Sequence, residues 1–165
     1  MDVVIYSDGA ARGNPGRGGY GTIIVYEDSD GNKFQKELTA GYIKTTNNRM
    51  ELLGAIKGLQ ALNTPCKVSL YSDSQYLCNA FNKGWIWSWL KKKWKKADGQ
   101  SVKNVDLWKD LLKLVKIHEV KFIWIKGHDG NEFNERCDKL ATDSADNNAT
   151  LEDKNYSDEG EVTDV

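Results

Sequence analysis

The chain has 165 residues, 39% of them hydrophobic and 28% charged, with a formal net charge of −1 at pH 7. That length suits one domain with its own core, and the composition is that of an ordinary soluble globular protein rather than a disordered or fibrous one. No apolar run approaches the roughly 20 residues of a membrane-spanning helix. The opening MDVVIYSDG is acidic and strand-like rather than a secretory signal, so a cytoplasmic protein with no membrane partner is expected.

The charge is unevenly spread. Residues 147–165 hold six acids (Glu152, Asp153, Asp158, Glu159, Glu161, Asp164) against Lys154, which leaves residues 1–146 mildly basic. A segment so poor in apolar residues buries too little surface to offset its ordering entropy, which predicts a flexible acidic tail after a domain spanning 1–146. Cys66, Cys78 and Cys137 are odd in number and widely spaced, as for free thiols in a reducing compartment.

In chain order, residues 3–6 form a short β-branched and aromatic strand that ends at Ser7-Asp8-Gly9. Residues 19–26 (GYGTIIVY) make a second strand, and residues 33–42 a third after the turn Asp28-Ser29-Asp30-Gly31-Asn32. The period then changes. Leu52, Ala55, Ile56, Leu59 and Leu62 recur at helical spacing, predicting an amphipathic helix over about 48–62 with Asn47 or Asn48 as cap. A fourth strand (67–72), a short helix (74–82), a helix marked by Trp108, Leu111, Leu112 and Val115, a fifth strand (120–125) and a last helix (132–145) follow. This β-β-β-α-β-α-α-β-α order implies an α/β domain built on a five-stranded mixed sheet with helices on both faces.

Gly16, Gly18 and Gly21 fit G-x-G-x-x-G, but the last of them runs into the strand-like Thr22-Ile23-Ile24-Val25-Tyr26. A dinucleotide fingerprint must open a helix whose N-terminus receives the phosphate, so that reading fails. Asn14-Pro15-Gly16 reads instead as a turn, and the later glycines as sites of tight strand entry or close approach of a ligand backbone.

Asp8 and Asp73 each end a strand; Glu51 and Asp138 each sit beside an apolar helical position. Adjacent parallel strands present their carboxyl ends to one crevice, where Asp8 and Asp73 can meet with Glu51 supplied from the helix. Converging carboxylates repel one another and resist desolvation, so they call for a cation. Oxygen donors without clustered Cys or His favour Mg²⁺ or Mn²⁺, a donor set suited to phosphoryl transfer. Singly, each acid reads equally well as a cap or a surface charge.

The segment GWIWSWLKKKWKKADG (84–99) carries Trp85, Trp87, Trp89 and Trp94 among Lys91, Lys92, Lys93, Lys95 and Lys96. Trp85 and Trp89, four apart, also fit the packing face of a helix. Lysines that neutralise phosphates beside indoles that pack on sugars or bases make a nucleic-acid grip.

YSDGAARGNPGRGGYG, TTNNRMEL (45–52), YSDSQY (71–76), the Trp/Lys segment running to VKNVDLW, and KGHDGNEFNERCDKLA (126–141) occur in one order across most of residues 3–145. In this the chain resembles the type 1 ribonuclease H family, and its bacterial form most closely. The resemblance implies a ribonuclease H-like fold and a metal-dependent endonuclease of the RNA strand of RNA–DNA hybrids, leaving 3′-hydroxyl and 5′-phosphate ends, as on replication primers and R-loops. It places Asp8, Glu51, Asp73 and Asp138 on four metal-binding carboxylates, holding two Mg²⁺ (or Mn²⁺) ions with substrate bound. It gives His128 a part in proton transfer or product release. Asn14, Asn47 and Gln75 fall on positions that reach the hybrid's minor groove, with Thr46, Asn48, Arg49 and Asn134 as neighbouring candidates. Residues 84–103 fall on a basic protrusion that grips the hybrid through Trp85, Trp89, Trp94, Lys91, Lys92, Lys93, Lys95, Lys96 and Lys103. A monomer is expected. Two departures are visible: one extra residue between Phe81 and Trp85, and the acidic extension past Asn147. A non-catalytic binding module and a DNA-processing nuclease of the same fold are the competing readings, disfavoured by the four acids and by the amides suited to RNA.

Overall fold

Residues 1–156 are described by a computed structural model of the protein. The chain opens with an antiparallel meander of β1 (Asp2–Gly13), β2 (Gly16–Glu27) and β3 (Lys33–Thr45). Both β1 and β2 are longer than sequence patterning suggests. Residues 9–13 and 16–20 pair across the two-residue Asn14-Pro15 turn, so 9–13 and 16–18, which read as loop, are ladder. Propensity argues against strand there, and cross-strand pairing overrides it.

Helix α1 (Asn47–Gln60) follows, then β4 (Lys67–Ser72), α2 (Gln75–Asn82), α3 (Trp85–Lys91), α4 (Val105–Ile117), β5 (Glu119–Trp124), α5 (Glu132–Asn147) and β6 (Ala149–Leu151). The strands form one mixed sheet in the order β5-β4-β1-β2-β3-β6. Caps set several helix starts. Thr46 Oγ1, rather than Asn47 or Asn48, accepts the Arg49 N–H at 3.2 Å, Ser74 Oγ that of Leu77 at 3.1 Å, and Asn131 Oδ1 that of Asn134 at 2.9 Å. Glu132 and Glu135 stand in the first turn of α5, where the helix dipole favours negative charge.

Strand alternation divides the helices between two faces. Val3, Ile5, Ile24, Val68 and Leu70 enter the main core with Leu52, Ala55, Ile56 and Leu59 of α1, and with Leu77, Trp108 and Leu111 of α2 and α4. On the opposite face lies α5, which approaches β2 so closely that a Cβ at Gly21 would stand 2.2 Å from the Cys137 carbonyl oxygen. Gly21 therefore admits a helix backbone, not a ligand backbone as its sequence context suggests. The three cysteines are free and buried. Among the described residues no helix is long and apolar enough to cross a membrane.

Further features depart from sequence expectation: α3 is a fifth helix where the expected order has four. The sheet has six strands rather than five, because Ala149–Leu151 pairs in parallel with the edge of β3. The acidic segment expected to be flexible from residue 147 is therefore part of the fold at its start. Asp153 reinforces this by pairing with the buried Arg49 at 2.7 Å, a partner that composition alone does not reveal. Residues 157–165 of that expected tail lie outside the described residues.

Candidate active site

The last parallel pair between β1 and β4 is Ser7–Ser72, so Asp8 and Asp73 follow side by side. Asp8 does not end its strand. β1 runs on with β2 while β4 leaves the sheet, and the gap between them is the crevice. Asp8 lies opposite Gly21 in the β1–β2 ladder, and its Oδ1 accepts the Gly9 N–H at 2.9 Å. Glu51 arrives from the other face on α1. A Cβ at Gly9 would stand 2.3 Å from the Glu51 backbone nitrogen, so only glycine lets α1 settle here. One oxygen each from Asp8, Glu51 and Asp73 then lies within 4.8 Å of the others.

Asp138 is delivered by α5, one residue beyond the Cys137 that packs on Gly21. It lies outside the three-carboxylate cluster but near enough for its charge to act on Asp8. The far side of Asp73 is fixed by the end of β5 and the segment that follows it. The Trp124 indole N–H donates to the Asp73 carbonyl at 3.0 Å, and a Cβ at Gly127 would meet Asp73 Oδ2 at 2.7 Å. Next to Gly127, His128 is exposed and holds a left-handed backbone (φ 56°), a conformation that costs energy and gathers at functional sites. Sequence reasoning did not find the roles of Trp124 and Gly127. The glycine-flanked His128 loop was a signal for Gly127, and nothing marked Trp124.

Burial first, then the Asp73 charge and that of Asp138, raises the Asp8 carboxyl to about 8, against the Gly9 hydrogen bond that lowers it. Glu51 is pushed well above the usual carboxylate range by burial, then by Asp8 and Asp73. The largest charge effects on both carboxyls come from other carboxylates. Glu51 Oε2 is buried with no hydrogen-bond partner. An orphaned buried oxygen inside a cluster of like charges is what a divalent cation would satisfy, and an all-oxygen donor set suits a hard cation. The residues fit a divalent metal site.

Around this centre, Asn14 occupies the β1–β2 turn, where its Oδ1 accepts the Asn47 N–H at 3.1 Å. Asn47, Asn48 and Gln75 are exposed at the starts of α1 and α2. Thr46 serves as the α1 cap, and Asn134 is only 3% exposed in the first turn of α5. Arg49, a candidate for either phosphate or structural contact, is 1% exposed and fully engaged by side chains, so it is structural.

The basic segment divides by face. Trp85 and Trp87 of α3 are exposed, while Trp89 packs against Trp108 with ring centroids 5.4 Å apart and Trp94 is half-buried against the core. Lys91, Lys92, Lys93, Lys95, Lys96 and Lys103 are all exposed. The inward indoles root the protrusion and the lysines cover its outside.

The fold and site together define an α/β protein with a carboxylate centre fitted to a divalent cation, flanked by a basic protrusion. A family model described as RNase H matches residues 1–146. Ribonuclease H of Lachnoclostridium phytofermentans is 58% identical over 154 residues, covering 93% of this chain and 98% of that protein. Ribonuclease H of Syntrophus aciditrophicus is 52% identical over 143 residues, covering 87% and 80%. Among solved structures, LC9-RNase H1, a type 1 enzyme with the type 2 active-site motif, superposes with a TM-score of 0.78 at 28% identity, over 88% of this chain and 72% of that one. LC11-RNase H1 in complex with an RNA/DNA hybrid gives 0.60 at 26% identity, over 87% and 96%. The chain belongs to the RNase H family.

Proposed function

We propose that this chain is an endonuclease hydrolysing the RNA strand of RNA–DNA hybrids, leaving 3′-hydroxyl and 5′-phosphate ends, with Mg²⁺ as cofactor and Mn²⁺ as a substitute. The observation that carries the reading is the buried Asp8–Glu51–Asp73 cluster with its orphaned Glu51 oxygen, in a chain of the RNase H family. The hybrid bound by the related LC11-RNase H1 supports the substrate class.

Asp8, Glu51, Asp73 and Asp138 would hold the ions. Two divalent ions at such a site, when bound, supply activation of water and stabilisation of the departing 3′-oxygen. The remaining work falls to the chain. Gly9 N–H orients Asp8, and Trp124 with Gly127 fixes Asp73, so the donor set is preorganised by backbone contacts. His128, exposed on its loop, would accept or deliver a proton or ease product departure. Asn14, Asn47 and Gln75 would both donate to and accept from the 2′-hydroxyls that distinguish RNA from DNA. Lysines of residues 91–103 would neutralise phosphates away from the reacting bond. The protein would act as a cytoplasmic monomer on hybrids such as primers and R-loops.

The test is an end-group assay on a hybrid with labelled RNA in Mg²⁺. The expected products are fragments whose 5′ ends ligate without prior phosphorylation. Fragments ending in 2′,3′-cyclic phosphate would overturn the reading, because they form when the RNA's own 2′-hydroxyl attacks.

A further inference from the structure

Among the described residues Arg49 is the buried side chain with the most hydrogen bonds, and its partners come from two separate parts of the chain. Its Nε and Nη2 donate to Asp153 at 2.7 and 2.9 Å. Nη1 and Nη2 donate to Asp106 at 2.9 and 2.7 Å, and Nη1 also reaches Asn104 Oδ1 at 3.3 Å. All five guanidinium N–H groups are thereby used. Burial opposes the charge, but Asp106 and Asp153 outweigh it and raise the Arg49 pKa.

Each partner marks a place that matters to substrate. Arg49 stands in the first turn of α1, beside Asn47 and Asn48 and two residues before Glu51. Asn104 and Asp106 are where the basic protrusion rejoins the body, and Asn104 Nδ2 also donates to Tyr76 Oη at 3.0 Å, next to Gln75. At its other end the protrusion leaves through Gly84, a left-handed residue around which a Cβ would meet nothing within 4 Å. The return end is clamped by charge, through the Arg49–Asp106 pair. Asp153 comes from beyond the 1–146 match, and its Oδ2 also accepts from Thr45 Oγ1 at 2.7 Å, at the corner where β3 turns into α1.

We propose that Asp153 is a positioning residue for hybrid binding: through Arg49 and Thr45 it fixes the first turn of α1 relative to the root of the basic protrusion, so that both engage one duplex. This rests on the function proposed above. The described side-chain partners of Asp153 are Arg49 and Thr45, neither a cluster carboxylate nor a protrusion lysine, so its loss acts on binding geometry rather than on the chemical step. A bidentate, fully hydrogen-bonded arginine suits this task because its planar fork transmits orientation as well as charge.

The experiment compares KM and kcat for a labelled RNA–DNA hybrid at 25 °C, with every variant checked by circular dichroism to be folded. Asp153→Asn is expected to raise KM fivefold or more while kcat stays within twofold. The milder Thr45→Val is expected to raise KM about twofold. Leu59→Val, a core change at the far end of α1, serves as the stability control and is expected to leave KM unchanged. An unaltered KM in folded Asp153→Asn overturns the proposal, and so does an equal rise in Leu59→Val. Should Asp153→Asn fail to fold, Thr45→Val decides: a raised KM supports the proposal and an unchanged one overturns it. Wild-type protein that leaves the hybrid intact would instead defeat the underlying functional reading.

Discussion

Replacing Asp8 with Asn separates the stability of the carboxylate centre from its chemistry. Asn keeps the shape and the oxygen that accepts the Gly9 N–H, but removes a charge held beside Asp73, Asp138 and Glu51. Because the folded-state pKa is raised from 3.8 to about 8, folded Asp8 keeps its proton where the unfolded chain has released it. The stability present below pH 3.8 is thus lost as pH rises through about 8. At about 1.4 kcal/mol per pH unit, the burden Asn relieves is about 2 kcal/mol near pH 5.5 and about 6 kcal/mol near pH 9. For a chain of this size that corresponds to a rise in Tm of about 5 °C at the lower pH and about 15 °C at the higher. Thermal unfolding of both proteins in EDTA at the two pH values measures it. Saturating Mg²⁺ should recover much of the difference for wild type at pH 9, since a cation bound only by the folded state stabilises it. An Asp8→Asn gain that is absent, or equal at both pH values, would refute the assignment of Asp8 to a buried, mutually repelling cluster.

Gly9→Ala places a Cβ 2.3 Å from the Glu51 nitrogen, so α1 must shift away from β1. We expect a loss of about 1–3 kcal/mol in urea unfolding together with weakened Mg²⁺ binding. Gly127→Ala forces the Asp73 carboxylate aside from a 2.7 Å approach and should lower kcat about tenfold to hundredfold with little change in Tm. A steady-state assay alongside a melting curve checks this, and an unchanged kcat would count against Asp73 as a ligand. Neutralising Lys91, Lys92 and Lys93 together should weaken hybrid binding and make log Kd less steep in log salt by about one for each phosphate no longer neutralised. Anisotropy titrations at several salt concentrations read it directly, with kcat at saturating hybrid nearly unchanged.

Much of the fold was legible because its core strands and helices keep their periodicities. β4 fell on residues 67–72 as the alternation in KVSLYS indicates, and the spacing of Leu52, Ala55, Ile56 and Leu59 gave the buried face of α1. What escaped depended on contacts distant in sequence. Nothing local marks Gly9, Gly19 and Gly21 as the places where α1 and α5 rest their backbones on the sheet. Asp153 looks like one acid among several in a solvated tail until Arg49 is found across 104 residues of chain. The carboxylates were visible as residue types at strand and helix positions, and family resemblance singled them out. Their convergence needed the parallel pairing of β1 with β4, which no local pattern states. α3 was indistinct because its tryptophans face both ways: Trp89 inward to Trp108, Trp85 and Trp87 outward.

The central claim is that the carboxylate centre cuts RNA only when RNA is paired with DNA and a divalent ion is present. The most direct measurement incubates wild type and Asp8→Asn, across a Mg²⁺ titration, with one labelled sequence prepared as RNA–DNA hybrid and as double-stranded DNA. Cleavage confined to the RNA of the hybrid, rising with Mg²⁺ and abolished in Asp8→Asn, is the predicted result. Intact hybrid with wild-type protein, equal cutting of the all-DNA duplex, or full cleavage by Asp8→Asn would contradict it.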